Sequence, residues 1–252
     1  MKKSSIKNNC IAALAMLALW QVLSLAYPPL VVPPIPAVGK ILARILSAPD
    51  LLHEAAKTLG RLGAGLFFGV ASGCLVGYVC GVCKTCRELC KPVLGVLQVV
   101  PPVALLVLAI IWFGFNGKPA VLIVAVAIFP IIAISVQDAV LHVDRKLLEM
   151  GTVFKYTKKR RFFLITWPSV KPQFYSGLRI ALGTASKTVV MGEVLTTSSG
   201  IGGQIVNARL NIEPEAIIAW TVVSVCMYYV LEAAVALLFV PKEQKYAQRK
   251  QS

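Results

Sequence analysis

A strongly basic stretch lies between two long apolar runs, and it sets most of what this chain can fold into. It runs from Glu149 to Pro168, EMGTVFKYTKKRRFFLITWP, and holds Lys155, Lys158, Lys159, Arg160 and Arg161 behind a single acid, Glu149. Such a segment cannot cross a bilayer, because lipid offers its charges nothing to pair with. It must be a loop, and the apolar runs on either side must be helices, which satisfy their own backbone groups. The chain is 57% hydrophobic and only 15% charged, whereas soluble domains carry about a quarter charged residues. The predicted class is therefore an all-α membrane protein. A net charge of +15 would suggest nucleic acid in a soluble protein. Here the bases gather in loops and tails, as cytoplasmic segments do. Membrane lipids are expected around the chain, and no nucleic acid.

A helix of about 20 apolar residues crosses a bilayer, and the sequence offers six transmembrane helices: 10–27, 61–82, 93–113, 119–136, 177–195 and 216–240. Residues 1–9 then form a cytoplasmic N-terminus, 10–240 the membrane domain, 138–176 its cytoplasmic loop and 241–252 a cytoplasmic tail. Ser24-Leu25-Ala26 resembles a signal-peptide cleavage site, but the apolar run is long and Tyr27-Pro28-Pro29 is no polar mature start, so a retained first helix is expected. Residues 28–36, PPLVVPPIP, should be extended, since proline fixes φ and removes donors. Residues 49–60 read as a short amphipathic helix. The second helix is rich in small residues (Gly63, Gly65, Gly69, Ser72, Gly73, Gly77 and Gly81), which let backbones approach closely in lipid. Pro101-Pro102 interrupts the third. With both termini inside, 18 bases fall on the cytoplasmic side and five outside, which gives an N-in/C-in orientation.

Cys80, Cys83, Cys86 and Cys90 have the C-x2-C-x2-C-x3-C spacing of a ferredoxin cluster site. Lys91 separates the last cysteine from Pro92, and no second cluster motif exists. On one continuous helix the four positions share a face, where cysteine acts as a small hydrophobe. Packing at a helix end is therefore expected, with no metal. The rival reading is a membrane redox subunit carrying an iron–sulfur site at Cys80–Cys90. Seven cysteines, an odd number, argue against an extracellular disulfide framework. His53 and His142 are isolated and read as surface residues.

Glu149-Met150-Gly151, then Lys155, then Ile165 and Trp167-Pro168 keep the register of a motif. They resemble the cytoplasmic loop of permease subunits in binding-protein-dependent ABC importers, written EAA, three residues, Gly, nine residues, Ile, one residue, Leu-Pro. Lys155 stands where that family has Gly, Trp167 where it has Leu, and Met150 where it has a small residue. Glycine tolerates positive φ at that turn and lysine tolerates it poorly. QVVPPVALLVLAIIWFG at 98–114 and GLRIALGTASK from Gly177, with Glu193 and Gly200-Ile201-Gly202 beyond, are similar to the sulfonate, nitrate and taurine branch. The resemblance covers most of residues 90–240. It implies the type I importer permease fold, a homodimer, and an extracytoplasmic solute-binding protein. It also implies a separate ABC ATPase subunit docked on Glu149, Met150, Gly151, Lys155, Ile165 and Pro168. The location implied is the bacterial cytoplasmic (inner) membrane. Glu54-Ala55-Ala56 with Gly60 matches only the first half of the motif and reads as a helix leading into the membrane. No G-x4-G-K-[ST] occurs, so ATP would be bound by the partner, with no cofactor on this chain and no catalytic residues. Gly200–Gly203 reads as an outer turn.

Ionisable residues inside spans are costly and usually functional. Lys187 and Glu193 are therefore candidates for the substrate path. A cation in low dielectric attracts anions, so Lys187 favours a small anionic solute. The competing reading pairs Lys187 with an acid such as Glu232. A lone secondary transporter and an importer of a thiamine-precursor pyrimidine are the further alternatives.

Overall fold

The computed structural model describes residues 2–239, apart from the side chains of 2–10, 13, 145, 158 and 238–239. The expected tail at 241–252 lies outside the described residues. The described chain is helical throughout: α1 (Lys2–Ala26), α2 (Ile35–Ser47), α3 (Asp50–Val82), α4 (Lys84–Val99), α5 (Pro102–Phe113), α6 (Lys118–Leu141), α7 (Arg145–Val153), α8 (Lys158–Arg161), a π-turn (Phe162–Thr166), α9 (Trp167–Thr196), α10 (Gly200–Leu210) and α11 (Pro214–Phe239). Two compact units emerge, one of residues up to Ala56 with those from Ser198 on, the other Lys57–Thr197.

The second unit is held by close backbone contact. Glycines recur every fourth residue from Gly65 to Gly81 on α3, which puts them on one face. Each meets a residue of α6 in constant register. A Cβ at Gly65 would lie 2.5 Å from Val124, at Gly73 2.9 Å from Ile132 and at Gly81 2.6 Å from Val140. Both series ascend together, so α3 and α6 run parallel, in contact over about 24 Å. The pairing with α9 descends instead: Gly177 sits against Ser135 and Gly192 against Ala120. Helix α9 is thus antiparallel to α6. Ile123, Val124, Ile128 and Ile132 of α6 and Ala181, Ala185 and Val189 of α9 lie in the core of this unit, all at 1% exposure or less.

Among the described residues three helices are long and apolar enough to cross a membrane, α3, α6 and α11. The pair α4–α5 makes a fourth if taken as one broken span, bent by 93° at Pro101-Pro102. Helix α9 falls short by composition, because it carries Lys171, Arg179, Lys187 and Glu193 in 30 residues. It is nonetheless lined with buried side chains from Val170 to Thr196.

In the first unit, α2, α10 and α11 share a core of Val38, Ile45, Ile201, Ala219 and Val223, against which Trp20 packs. Trp20 Nε1 donates to the Pro33 carbonyl at 3.1 Å, tying α1 to the proline-rich link. That link is not the extended run expected over 28–36: the Val31 N–H donates to Pro28 O at 2.8 Å and the Val32 N–H to the same oxygen at 3.1 Å, which turns the chain. Helix α2 starts at Ile35 with Pro36 in its first turn, where a missing N–H costs nothing. The amphipathic segment at 49–60 is no separate helix; it continues unbroken into α3. Gly200–Gly203 is not a turn either. The turn is Thr197–Ser199, and the glycines open α10, with Gly200 at φ +88. The buried Glu54 carboxylate accepts the Gly200 N–H, so it compensates the positive end of α10.

The glycine register makes a direct prediction. Gly73→Leu should overpack the α3–α6 contact and cost about 1–3 kcal/mol. Gly63, with nothing within 4 Å of a Cβ, should accept alanine without loss. Thermal unfolding of the two variants in detergent measures the difference.

Candidate functional site

Two polar constellations stand at opposite ends of the second unit. The first is the segment joining α6 to α9. Asp144 opens α7, its carboxylate accepting the Lys146 N–H at 2.8 Å, as an N-cap does. Helix α7 closes at Lys155, whose φ is +50. The Lys155 N–H donates to Thr152 O at 3.0 Å and the Tyr156 N–H to Gly151 O at 2.9 Å. These two bonds form a Schellman motif, which normally places glycine where Lys155 stands. The left-handed turn is thus made despite the lysine.

After the turn, Arg161 N donates to Thr157 O at 2.9 Å and starts α8. The chain then widens into the π-turn, where Trp167 N donates to Phe162 O. Pro168 follows and has no N–H to give. The loop folds back on itself at one contact. Ile165 is 4% exposed, and a Cβ on the buried Gly151 would come within 2.9 Å of it. The structure therefore brings Gly151 and Ile165 together and leaves Glu149, Met150, Lys155 and Pro168 exposed. Met150, Val153 and Phe154 are bare apolar surface, Val153 at 79%, beside Lys146, Lys155, Lys159 and Arg160. Arg160 covers the Tyr156 ring at 4.9 Å. Under the π-turn, Cys74, Tyr78, Phe162, Trp167 and Phe174 line a cavity of about 410 Å³. Such an exposed apolar surface, rimmed by bases and by the single acid Glu149, suits a protein partner with complementary charges.

The second constellation lies where α3 begins and α9 ends. Glu193 is fully buried; Arg61 Nη1 approaches its Oε1 at 2.5 Å and Thr58 Oγ1 donates at 2.9 Å. Thr58 and Arg61 are three apart on α3 and so share a face. Gly117, opposite, leaves room for the guanidinium; a Cβ there would collide with it. Glu193 is therefore held by a cation and a hydroxyl on another helix. Lys187 is exposed, on the face of α9 turned away from α6, with Ile180 at 62% on the same side. The structure does not bring Lys187 and Glu193 together. Sequence reasoning missed Thr58 and Arg61. Their three-residue spacing was the available signal, but nothing local names a partner 132 residues away.

The four central cysteines do not share one helix face. The helix breaks at Cys83, which is extended at φ −106 and ψ 115 and precedes α4. Among the described residues no group of three or more His, Cys, Asp or Glu is placed to hold a metal.

A family model described as "binding-protein-dependent transport system inner membrane component" matches residues 65–241. The chain is 28% identical over 197 residues to a protein named as aliphatic sulfonates transport permease protein SsuC of Bacillus subtilis, covering 77% of this chain and 71% of that one. It is 27% identical over 188 residues to the taurine transport system permease protein TauC of Escherichia coli, covering 75% and 68%. Among solved structures, a chain of the bacterial alginate ABC transporter in complex with an alginate pentasaccharide-bound periplasmic protein has the same fold. Its TM-score is 0.60 at 16% identity, over 94% of each chain.

Two stability predictions follow from the two constellations. Glu193→Ala should cost about 3–5 kcal/mol, because it removes the fully buried carboxylate that the largely buried Arg61 pairs with. The double variant Glu193→Leu with Arg61→Met should recover most of the loss in detergent unfolding. Lys155→Gly should stabilise the loop by about 0.5–1 kcal/mol. Relief of left-handed strain of about 1–2 kcal/mol outweighs the entropy of the added glycine. Slower proteolysis at 154–161 is the readout.

Proposed function

The chain belongs to the family of inner membrane components of binding-protein-dependent transport systems; it is an ABC importer permease, and we propose that its solute is a small anion of the sulfonate, taurine or nitrate kind. Relatives named for sulfonates and taurine support the solute class. Exposed Lys187, on the uncovered face of α9, supplies a cation for that path. The observation that carries the mechanism is the loop from Glu149 to Pro168. It combines a self-packed core at Gly151 and Ile165 with an exposed apolar and basic outer face.

In this reading an ABC ATPase subunit docks on that face, by way of Glu149, Met150 and Lys155, and ATP is hydrolysed there rather than on this chain. The solute-binding protein delivers at the Arg61–Glu193 end, about 40 Å away along α9 by its helical rise. The permease works as a homodimer in the bacterial cytoplasmic membrane. Six crossings are α1, α3, α4–α5, α6, α9 and α11. Because α3 and α6 are parallel, the chain between them must return across the bilayer, and α4–α5 is that return. The charge asymmetry then puts both termini and the loop inside. Closing of the ATPase pair moves the docked loops, and the helices switch between inward- and outward-facing states.

Mild-detergent purification of the full complex tests the reading. The native protein should carry an ATPase subunit with a phosphate-binding loop at equal stoichiometry. Glu149→Lys should weaken that association at least ~10-fold, equivalent to about 1.4 kcal/mol, and uncouple ATP hydrolysis from uptake without loss of membrane insertion. Full coupling in Glu149→Lys would overturn the docking assignment, and a native chain that purifies alone would overturn the function.

A further inference from the structure

The break between α3 and α4 does something that helix-end packing does not require. It puts Cys83 at the N-cap of a 16-residue helix, with Cys86 in that helix's first turn. Cys83 and Cys86 thus stand at the N-cap and in the first turn of the same helix, three residues apart. The buried Cys80 sulfur lies 3.8 Å from the Cys86 carbonyl. Cys83 and Cys86 are both partly exposed. Between them stands Lys84, whose side chain is 80% exposed.

We propose that Cys83-Lys84-Thr85-Cys86 is a thiol–disulfide exchange site whose co-substrate is a low-molecular-weight disulfide of the glutathione class. Two arguments favour it over inert packing. First, a thiol at a helix N-terminus in a C-x-x-C pair meets the positive end of the helix dipole, which stabilises thiolate. Here the backbone N–H and the thiol of Cys86 hold the Cys83 thiol below its ordinary range, with Arg87 adding to the effect. Second, among the described residues no group of three or more His, Cys, Asp or Glu is placed to hold a metal, whereas disulfide chemistry needs only two thiols at this spacing.

The chemistry balances without further components. The Cys83 thiolate attacks one sulfur of glutathione disulfide, forming a mixed disulfide and expelling one glutathione thiolate. The Cys86 thiolate then attacks the Cys83 sulfur, closing the protein disulfide and releasing the second glutathione. The two protein thiols are oxidised, the glutathione disulfide is reduced to two thiols, and the two protons pass to the released thiolates.

The test uses the full chain, purified anaerobically in detergent, treated with glutathione disulfide, alkylated, and digested with trypsin without reductant. Trypsin cuts after Arg61, Lys84 and Arg87, so the tripeptide Thr85–Arg87 stays attached to the peptide Leu62–Lys84 only through a disulfide at Cys86, and fragmentation of the joined peptide must place the other sulfur on Cys83 rather than on Cys74 or Cys80. The tripeptide should be held until reductant is added. In Cys86→Ser, glutathione should remain trapped on Cys83; in Cys83→Ser, Cys86 should take up glutathione at least ~10-fold more slowly than Cys83 does. A tripeptide released free after oxidation, equal reactivity of the two cysteines, or stoichiometric metal shielding the thiols of the purified protein would each overturn the proposal.

Discussion

Within a bilayer, burying one apolar helix face on another gains little, because the lipid displaced is as apolar as the protein. What remains is contact: dispersion forces that grow as backbones come closer. The glycine series from Gly65 to Gly81 supplies that contact for α3 on α6, and the rest of the Lys57–Thr197 unit is arranged around it. Because the register is constant over five glycines, the two helices are locked parallel and cannot slide by one residue without collision. That parallelism in turn requires the intervening α4–α5 to carry the chain back, and it fixes which end of the bundle receives the loop. With α9 antiparallel to α6, the basic loop falls at one end and the Arg61–Glu193 pair at the other.

The two ends have different physics. At the Glu193 end, the charge is fully buried and satisfied by Arg61 and Thr58, so it behaves as a fixed tie between α3 and α9. At the loop end, most described side chains are exposed, and the Gly151–Ile165 contact is the buried point on which the loop closes. A segment built this way keeps its shape while leaving its outer face free for a partner. The loop also has no flexible joint to α9. The π-turn continues into Trp167 and from there into one helix of 30 residues. In the proposed transporter, displacement of the loop is therefore delivered to the α6–α9 contact through a stiff element.

Lys155 shows how tertiary context overrides a local preference. Read alone, a lysine at the glycine position of the turn argues against the turn. The backbone forms it anyway, because two carbonyls at the end of α7 are satisfied by the Schellman bonds and the closure packs Gly151 on Ile165. A strain of about 1–2 kcal/mol is small against an orphaned helix end and an exposed Ile165. The cysteines show the reverse. Regular helical spacing from 80 to 90 suggested one face, but the helix stops at Val82 and restarts at Lys84, so the periodicity was accidental.

The sequence by itself determined the helical class, the apolar stretches of α3, α6 and α11, the break at Pro101-Pro102, and the basic loop with its register from Glu149 to Pro168. These are legible because they are written in neighbouring residues: apolar run length, helix-breaking prolines, charge density. Small residues on α3 announced a close helix contact. Only the tertiary structure decided which face of α3 makes that contact and what it meets, that Arg61 and Thr58 hold Glu193, that Glu54 caps α10, and that Cys83 ends a helix. Each of these depends on residues far apart in the chain or on a backbone conformation that several local sequences tolerate. A periodic pattern fixes the direction a side chain points, but the partner is chosen by how closely two whole helices can approach.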